Sequence, residues 1–531
     1  MVATNHFDVA IVGGGHNGLV AAALLARAGK SVVLCEAQSQ FGGAAATTTL
    51  APGMRVPKCA HLVASLDPAL IRKLRLKKHG LVVLQKNVGS VALDDEGRHI
   101  PLGADAKARH EAIFRWSRHD ADAWRSFDAR LNLLTESVRP LIAGSALPLS
   151  PENRRDKLKW VGHYLGLRRK GKTAFQHVMQ TLPSNAADFL DDAFETDLLK
   201  GALSLEATLG GRHGPRAPGT IFAWAWQRAL QTTHRTGTLQ IAGGPEALTQ
   251  AITASARSFG ADLRCKSPVS GIKIEGGRVA GLVLKNGDEV TAPVVLSTIS
   301  PKATMLHLVG ARHLDAGLVR DILQIRTGGA SAKVNLALAR LPAFQKTQPN
   351  LLASRLLIAP CVSDVERAAN AQKYNELPVH PVLEVTLPSI RDESLVPEGR
   401  HVLSAIVPFM PFDLDAGWDR GGDQLVTRVV KILADYAPDL PDLVMAGEVM
   451  TPPDIQDHCG LAGADWHQGE LAPDQSMMMR PVPGLAEGRH PIGGLFLGGA
   501  GAHPGGGLTG LPGIRAAEQI TRAARSGGGH R

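Results

Sequence analysis

Residues 7–43 carry the pattern that decides the fold: FDVAIVGGGHNGLVAAALLARAGKSVVLCEAQSQFGG. The short apolar and β-branched run Phe7–Val12 predicts a buried strand. A glycine-rich turn follows it, and the Ala- and Leu-rich run Leu19–Ala28 predicts a helix that ends at Gly29. Ser31–Cys35 is a second apolar run. A strand, a helix and a strand within about 30 residues predict a βαβ unit with two parallel strands.

The turn between the first strand and the helix has the form G-x-G-x-x-G. In this arrangement Gly13 allows the tight turn, Gly15 lets the backbone approach a pyrophosphate, and Gly18 allows the helix to pack closely on the strand. The helix N-terminus offers free N–H groups and the positive end of its dipole to the phosphates. We therefore expect these glycines, together with Asn17, to contact a dinucleotide.

An acidic residue and a glycine doublet complete this pattern. Glu36 ends the second strand, where its carboxylate can accept hydrogen bonds from the adenosine ribose and would repel a 2′-phosphate. Gly42 and Gly43 follow it and let the chain run beside an extended dinucleotide. A classical NAD dehydrogenase would not need this doublet, so the pattern favours FAD. The alternative is a glycine-rich turn in an unrelated α/β fold, which the combined register of strands, helix and acid disfavours.

A second glycine-rich stretch lies near the C-terminal end, where residues 495–510 read LFLGGAGAHPGGGLTG. It predicts a strand at Leu495–Leu497, a loop of bare backbone and a helix at about Leu511–Ala524. Such a loop can lie against a flat ring system, and the helix N-terminus can stabilise negative charge on a reduced flavin. A glycine-rich surface loop is the alternative. The residues expected to contact the cofactor here are Gly499, Gly501, Gly507 and Leu508.

The middle of the chain divides by pattern into helical and mixed segments. Charged helical stretches are predicted at His110–Leu134 and Glu152–Gly171. From Gly237 an α/β pattern returns, with a predicted helix and several strands. These are the helix Glu246–Ser258, a hairpin of Val269–Ile274 and Val279–Leu284, and a strand at Val290–Ser297.

We therefore predict an α/β protein with a discontinuous Rossmann-like FAD-binding domain and a mixed α+β substrate domain that carries a helical cap. The FAD-binding domain is expected to comprise residues 1–105, 236–301 and 485–531. The substrate and cap domain is expected to comprise residues 106–235 and 302–484. A chain of 531 residues is too long for one ordinary core, in agreement with two domains.

Composition restricts the function classes. Hydrophobic residues make up 44% of the chain and charged residues 20%, which is typical of a globular protein. The net charge of +9 permits contact with acidic surfaces, but no zinc finger or RNP-like pattern is present, so we expect neither nucleic acid nor a metal. The five cysteines are scattered without a CxxC pair, which argues against a redox-active dithiol and favours an intracellular compartment, cytoplasm or organelle matrix.

Three segments together resemble the phytoene desaturase-like branch of the FAD-dependent amine oxidase superfamily. They are residues 8–43, residues 237–301 and residues 495–520. The stretches Leu76–Leu84 and Thr208–Thr220 narrow the resemblance to one group within that branch.

The resemblance has implications for individual residues and for chemistry. It implies that Val269 packs near the adenine. Many relatives hold the ribityl chain with an acidic residue where this chain has Ala500 and Gly501, so backbone N–H groups would replace that acid. The resemblance further implies hydride transfer between a substrate C–H or N–H bond and the flavin, a step in which the cofactor carries the chemistry.

Three functions remain open from the sequence. The first is a desaturase or dehydrogenase that acts on a small apolar substrate, isoprenoid- or lipid-like. The second is a flavin amine oxidase, and the third is an FAD-bearing partner- or membrane-binding protein with little turnover. His503 in the glycine loop is the candidate catalytic residue, although a structural histidine is an equal interpretation. His61 is a second candidate for the substrate side.

The segment Arg154–Lys172 contains eight Lys or Arg residues and one Asp. Leu158, Val161 and Leu165 share one face of the predicted helix, with aromatic residues beside it. This pattern is compatible with peripheral membrane contact by residues 154–172, which would deliver an apolar substrate from the bilayer. The alternative is a solvated basic helix packed on the cap domain.

Overall fold

The structure is a computed structural model that describes residues 5–103, 105–144, 154–233, 236–328, 331–345, 347–486 and 490–526. Its strands are β1 (Val9–Val12), β2 (Val32–Cys35), β3 (Thr47–Ala51), β4 (Met54–Pro57), β5 (Val83–Gln85), β6 (Ser90–Leu93), β7 (His99–Pro101), β8 (Gln240–Ile241), β9 (Asp262–Arg264), β10 (Val269–Glu275), β11 (Arg278–Leu284), β12 (Glu289–Thr291), β13 (Val295–Ser297), β14 (Ser331–Leu338), β15 (Arg355–Ile358), β16 (Leu383–Thr386), β17 (His401–Pro408), β18 (Val444–Met450) and β19 (Leu495–Leu497).

Several α-helices follow one another between β7 and β8, and the others are distributed among the strands. They are α1 (His16–Arg27), α2 (Pro68–Lys73), α3 (Ala106–Phe114), α4 (Arg118–Ala143), α5 (Arg154–Arg168), α6 (Lys172–Thr181), α7 (Ala186–Asp191), α8 (Asp197–Thr208), α9 (Thr220–Thr232), α10 (Pro245–Ser258), α11 (Ala316–Leu323), α12 (Val362–Lys373), α13 (Trp418–Tyr436), α14 (Leu440–Leu443), α15 (Pro452–Cys459) and α16 (Leu511–Ser526).

A parallel five-stranded sheet with the order β19-β13-β1-β2-β9 carries the N-terminal glycine turn. β1 pairs in parallel with β2 on one side and with β13 on the other, which confirms the predicted βαβ unit and the Rossmann-like fold. Helices α1, α10 and α16 pack together on one face of this sheet. The approach of α16 to α1 requires glycine, because a Cβ at Gly513 would overlap the carbonyl oxygen of Asn17.

The predicted hairpin is confirmed: β10 and β11 are antiparallel and extend to β12. The single strand predicted at Val290–Ser297 is wrong. β12 ends at Thr291 in this three-stranded sheet, and β13 begins at Val295 in the parallel sheet. Pro293 lies between them and lacks the N–H group that a continuous ladder would need.

The second large sheet is mixed and has seven strands in the order β18-β14-β17-β16-β15-β6-β7. Its outer strands β6 and β7 come from residues 90–101, which the sequence pattern had assigned to the FAD-binding piece. β6 pairs with β15 and with β7 in this sheet, and the predicted domain bounds themselves stay a prediction. The short apolar run of β6 gives no indication from sequence of the sheet that it joins.

The cap consists of helices α3 to α9, packed around a cluster of aromatic side chains. Phe127 is its centre, with ring centroids 4.7 Å from Phe194 and 5.3 Å from Phe189. The helix predicted at His110–Leu134 is two helices, because the Ser117 hydroxyl accepts a hydrogen bond from the Asp120 N–H and starts α4 there. The predicted start of the next helix, Glu152, lies outside the described residues. No helix in the described ranges has the length and apolar character needed to cross a membrane.

Candidate active site

A cavity of about 390 Å³ lies where the parallel sheet, the mixed sheet and the cap meet. Its walls come from the N-terminal glycine turn, the end of β2, the segment 59–64 and the C-terminal glycine loop, together with α9 and three side chains of the mixed sheet. Sequence-distant segments therefore converge on one space between packed layers, which is a usual place for a ligand.

The predicted cofactor residues divide into two groups by their position relative to this cavity. Those that line it are Gly13, Gly15, Asn17, Glu36, Gly43, Val269, Gly507 and Leu508. The other four, which are not among the described lining residues, are Gly18, Gly42, Gly499 and Gly501. These serve close backbone packing: a Cβ on Gly18 would overlap the Gly13 carbonyl oxygen, and a Cβ on Gly499 would overlap that of Thr298. The Gly42 N–H donates to the Gly14 carbonyl oxygen at a distance of 3.0 Å. This hydrogen bond holds the glycine doublet against the N-terminal glycine turn.

Glu36 is held at the cavity wall by the backbone. One carboxylate oxygen accepts a hydrogen bond from the Gly14 N–H at 2.6 Å, and the other accepts from the Gln38 N–H at 2.8 Å. Each oxygen of an ionised carboxylate can accept two hydrogen bonds, so one acceptor site on each remains for a ligand hydroxyl. This geometry fits the ribose contact that the sequence predicts for Glu36.

The start of α1 is arranged to receive an anion. Gly15 caps the helix without a side-chain hydrogen bond, no acidic residue occupies the first turn, and a Cβ on Gly15 would have nothing within 4 Å. Asn17 is buried, and its side-chain oxygen has no hydrogen-bond partner among the described residues. His16 Nε2 lies 3.1 Å from the Gly507 carbonyl oxygen and joins the N-terminal turn to the C-terminal loop. Open space and helix N–H groups fit a dinucleotide phosphate. The Asn17 side-chain oxygen is an acceptor and would take a hydrogen bond from a donor group of the ligand.

His503 lies elsewhere. It is buried, it is not among the described lining residues, and its ring packs edge-on against Trp226 with centroids 6.2 Å apart. Burial, with the nearby Arg515, lowers the pKa of His503 to about 3. This position favours the structural interpretation of His503, and its catalytic role stays a prediction.

Comparisons with known proteins agree with this architecture. A family model described as "NAD(P)-binding Rossmann-like domain" matches residues 11–75. Over 97% of its length this chain is 31% identical to pyridine nucleotide-disulfide oxidoreductase domain-containing protein 2 of Rattus norvegicus, 93% of which is covered. It is 23% identical to the all-trans-zeta-carotene desaturase of Myxococcus xanthus, with 98% of this chain and 94% of the relative covered.

The chain belongs to the phytoene desaturase-like family of FAD-dependent oxidoreductases.

A solved structure of a putrescine oxidase variant has the same fold, with a TM-score of 0.60 and 15% identity over 98% of this chain and 99% of that chain. Family membership makes this chain an oxidoreductase of the amine oxidase and desaturase kind. The rat relative's name mentions disulfide chemistry. All five cysteines of this chain are unpaired, and burial raises the pKa of the Cys59 thiol at the cavity to about 11, which disfavours a reactive thiolate.

A buried polar cluster on the mixed-sheet side of the cavity went largely unpredicted. His61 lies at its centre: Nε2 is 2.9 Å from a Glu384 oxygen, and Nδ1 is 2.8 Å from Lys333 Nζ. Arg355 donates to the second Glu384 oxygen at 2.6 Å and to Glu206 at 3.1 Å. His61, Glu384 and Arg355 line the cavity, which agrees with the substrate-side position expected for His61.

The charges of this cluster follow from its burial and its hydrogen bonds. Burial lowers the pKa of Lys333 to about 7, and burial together with the Lys333 charge lowers the pKa of His61 to about 4. Burial opposes ionisation of Glu384, but Arg355 and His61 outweigh it and hold its pKa well below the usual range. A carboxylate on Glu384 makes His61 the donor at Nε2, so Nδ1 is left to accept from Lys333.

The C-terminal loop is positioned by a buried arginine that the sequence pattern also did not single out. Arg480 is 1% exposed and donates to the carbonyl oxygens of Gly469, at 3.0 Å, and Ala500, at 2.9 Å, as well as to that of His467. Burial lowers its pKa to about 10, which leaves it charged at neutral pH. His467 borders the cavity beside Gly506, and its Nδ1 has no partner among the described residues.

Proposed function

We propose that this protein binds FAD non-covalently and uses it to oxidise a small apolar substrate, isoprenoid- or lipid-like, as a desaturase or dehydrogenase. The observation that carries the proposal is the meeting of two features at one cavity. The dinucleotide-type turn with Glu36 lies on one side, and an apolar wall with a buried titratable cluster lies on the other. Family membership supports the choice of FAD.

The residues that would hold FAD are those already placed at the parallel-sheet side. The turn at Gly13 and Gly15 with the α1 N-terminus would take the pyrophosphate, Glu36 the ribose, and Val269 the adenine side. The C-terminal loop at Gly507 and Leu508 would face the rest of the cofactor. When bound, the flavin supplies the hydride acceptor.

The substrate side of the cavity is suited to an apolar molecule. Its apolar wall comes from the segment after β4, from the cap, from the mixed sheet and from the segment after α15. It is formed by Leu62, Leu209, Leu230, Ile406 and Leu461. Such a wall excludes water from the reacting bond and gives little directional hydrogen bonding. The named substrate of the Myxococcus xanthus relative, a carotene, is a hydrocarbon, which supports the same class for this chain.

The polar cluster would hold the proton that accompanies oxidation. Loss of two hydrogens from a substrate gives a hydride and a proton. Lys333, with a pKa of about 7, can be neutral at physiological pH and is joined to the cavity wall through His61. Glu384 fixes the tautomer of His61, and Arg355 fixes Glu384. Lys333 itself is not among the described lining residues, so this arrangement would store a proton close to the cavity rather than place the base in contact with the substrate.

An amine substrate and a binding protein with little turnover are the alternatives. The likeness to putrescine oxidase lies in the fold and does not extend to a substrate. We favour the apolar substrate because the charges on the mixed-sheet side of the cavity are already paired within the protein: Arg355 with Glu384 and Glu206, and Glu384 with His61. A cationic amine would need a carboxylate free to receive it.

A pair of alanine variants tests cofactor binding. Gly15→Ala places a methyl group in open space, so we expect unchanged unfolding of the FAD-free protein and at least a tenfold loss of FAD affinity, measured by flavin fluorescence. Gly166→Ala, also open and away from the cavity, is the matched control and should retain FAD. Equal FAD affinity in Gly15→Ala and wild type would contradict this position for the pyrophosphate.

Turnover is tested on the FAD-loaded protein. Anaerobic addition of a lipid extract should bleach the visible flavin absorbance, and putrescine or other amines should not. Bleaching by amines alone would favour the amine oxidase. A flavin that no extract bleaches would favour the binding protein, and failure to take up FAD at all would refute the proposal.

A further inference from the structure

Helix α5 exposes large apolar side chains on the outside of the cap. Leu158 is 68% exposed, Val161 50% and Leu165 45%. Exposed apolar residues scattered singly are ordinary, but these three lie on one helix of fifteen residues. Their position calls for a partner that removes them from water.

The three side chains form one stripe. A helix turns about 100° per residue, so the positions i, i+3 and i+7 occupied by Leu158, Val161 and Leu165 lie within about 60° of one another. Tyr164 lies beside the stripe and is 51% exposed. Asp156, the acid of this helix, is buried on the opposite side next to Lys159.

Basic residues share the outward side with the apolar stripe. Arg154, Lys157 and Arg169 are exposed. On the helical wheel Arg154 lies within the arc of the stripe, whereas Lys157 and Arg169, the residue after α5, lie on either side of it. Lys170 and Lys172 follow. Long basic side chains can leave their charges at the level of lipid phosphates while the apolar side chains enter the acyl boundary. We propose that the outward face of α5 docks on a lipid bilayer that contains anionic lipids.

The outward face of α5 combines exposed side chains of one charge sign with exposed apolar side chains. Such a face fits a bilayer better than a protein partner. A protein partner would need a complementary acidic and apolar groove, whereas an anionic bilayer offers both features over any orientation of the stripe. The described part of the chain has no membrane-spanning helix, so this contact would be peripheral.

The helix is connected to the cavity through the cap. Tyr164 packs edge-on against Phe175 of α6 with ring centroids 5.8 Å apart, α6 packs on α4, and α4 packs on α9. α9 lines the cavity through Gln227, Leu230 and Gln231. Docking through α5 therefore brings the cap to the bilayer in which apolar substrates dissolve. That consequence rests on the proposed function, whereas lipid binding itself does not.

The test uses the full chain with FAD supplied and sedimentation with two kinds of vesicle. We expect binding to vesicles of phosphatidylcholine mixed with phosphatidylglycerol, weakened by added salt, and at least tenfold weaker binding to pure phosphatidylcholine. Replacing Leu158, Val161 and Leu165 together by Gln should weaken binding more than tenfold. Lys157→Gln with Arg169→Gln should weaken it about fivefold per charge.

A matched control carries the same change at other exposed apolar positions. Leu323, Val379 and Met445 are 58%, 74% and 50% exposed and lie outside α5, so Gln at all three should leave vesicle binding unchanged. Circular dichroism and flavin absorbance verify that each variant is folded. Absence of vesicle binding, or equal loss in both triple variants, would overturn the proposal. A change of oligomeric state on α5 substitution without vesicle binding would assign the face to a second copy of the chain instead.

Failure here and failure of the proposed function are distinguishable. A protein that binds FAD and is bleached by a detergent-dissolved lipid extract, but never binds vesicles, retains the function and loses the docking face. A protein that binds vesicles through α5 without flavin reduction retains the docking face and loses the function.

Discussion

Lys333 offers the sharpest test of the buried cluster, because its side chain is 1% exposed and its ammonium group has little solvent. We consider Lys333→Met, which shortens the unbranched side chain by one atom and removes its charge. The groups that face Lys333 are His61, Cys59 and Glu384, of which only Glu384 is ionised at neutral pH. Replacement therefore removes one buried cation and leaves Glu384 paired with Arg355.

The sign of the effect depends on pH. Below pH 7 Lys333 is protonated in both states, so the folded protein bears the whole cost of the buried charge. Between pH 7 and about 10.5 the folded state has released this proton and the unfolded state has not, so the free energy of unfolding rises with pH. Above about pH 10.5 Lys333 is neutral in both states, so its buried charge no longer lowers the free energy of unfolding.

The magnitude follows from the two pKa values. The difference between 10.5 for an ordinary lysine and about 7 here corresponds to about 5 kcal/mol, at about 1.4 kcal/mol per pKa unit. The hydrogen bond to His61, which the substitution removes, offsets about 1 to 2 kcal/mol of this. We expect Lys333→Met to raise the free energy of unfolding by about 3 kcal/mol at pH 6 and to lower it by about 1 kcal/mol at pH 10.

Urea denaturation followed by tryptophan fluorescence at pH values from 6 to 10 measures this crossover, with the same excess of FAD for every protein. Lys431→Met, at an exposed position of α13, is the matched control and should change the free energy of unfolding by less than about 0.5 kcal/mol at each pH. A second readout is the pKa of His61 by NMR, which should rise when the neighbouring charge is removed. A destabilisation of Lys333→Met that is the same at pH 6 and pH 10 would refute the assigned cost of the buried ammonium.

Three further substitutions test other parts of the site. Glu384→Ala should lower the free energy of unfolding by about 3–5 kcal/mol, because it leaves the buried Arg355 without its closer partner. The control is Glu518→Ala, at an exposed ion pair with Arg522. In the same urea titration it should lower the free energy of unfolding by less than about 1 kcal/mol. His503→Leu should change the rate of anaerobic flavin reduction less than twofold, and a loss of a hundredfold or more would return His503 to the chemistry. Arg480→Met should lower both the midpoint of thermal unfolding and FAD retention, because the carbonyl oxygens of Gly469 and Ala500 lose their donor. Normal FAD retention in this variant would show that the C-terminal loop keeps its shape without Arg480.

The cofactor side of this site could be predicted because its signals are local. Strand, turn, helix and acid follow one another between Phe7 and Glu36, and each has a chemical reason for its residue type. The structure agrees with β1, α1, β2 and β19 to within a few residues. The roles of Glu36 and of the glycine loop in binding FAD remain predictions.

The polar cluster could not be predicted in the same way, because its members are far apart in the sequence. His61 and Lys333 are separated by 272 residues, and His61 and Glu384 by 323. A weak signal was present, since Lys333 and Glu384 are each the one charged residue of a short strand, in SAKVNLAL and LEVT. A charged residue in a buried strand requires a partner, but the sequence does not say which one.

The position of the last strand has a consequence for how the protein is made. β19 supplies the edge of the parallel sheet next to β13, and α16 covers α1, so the cofactor layer that begins at residue 9 is completed only by residues 495–526. During synthesis β13 therefore has an unpaired edge while residues 298–494 are made, the kind of surface that chaperones protect and that aggregates when left alone. A ribosome that stops early would release a chain that lacks the loop around Gly507 as well as the strand. Prematurely terminated products would thus be both unstable and unable to retain the cofactor, and proteolysis could remove them before they bind flavin.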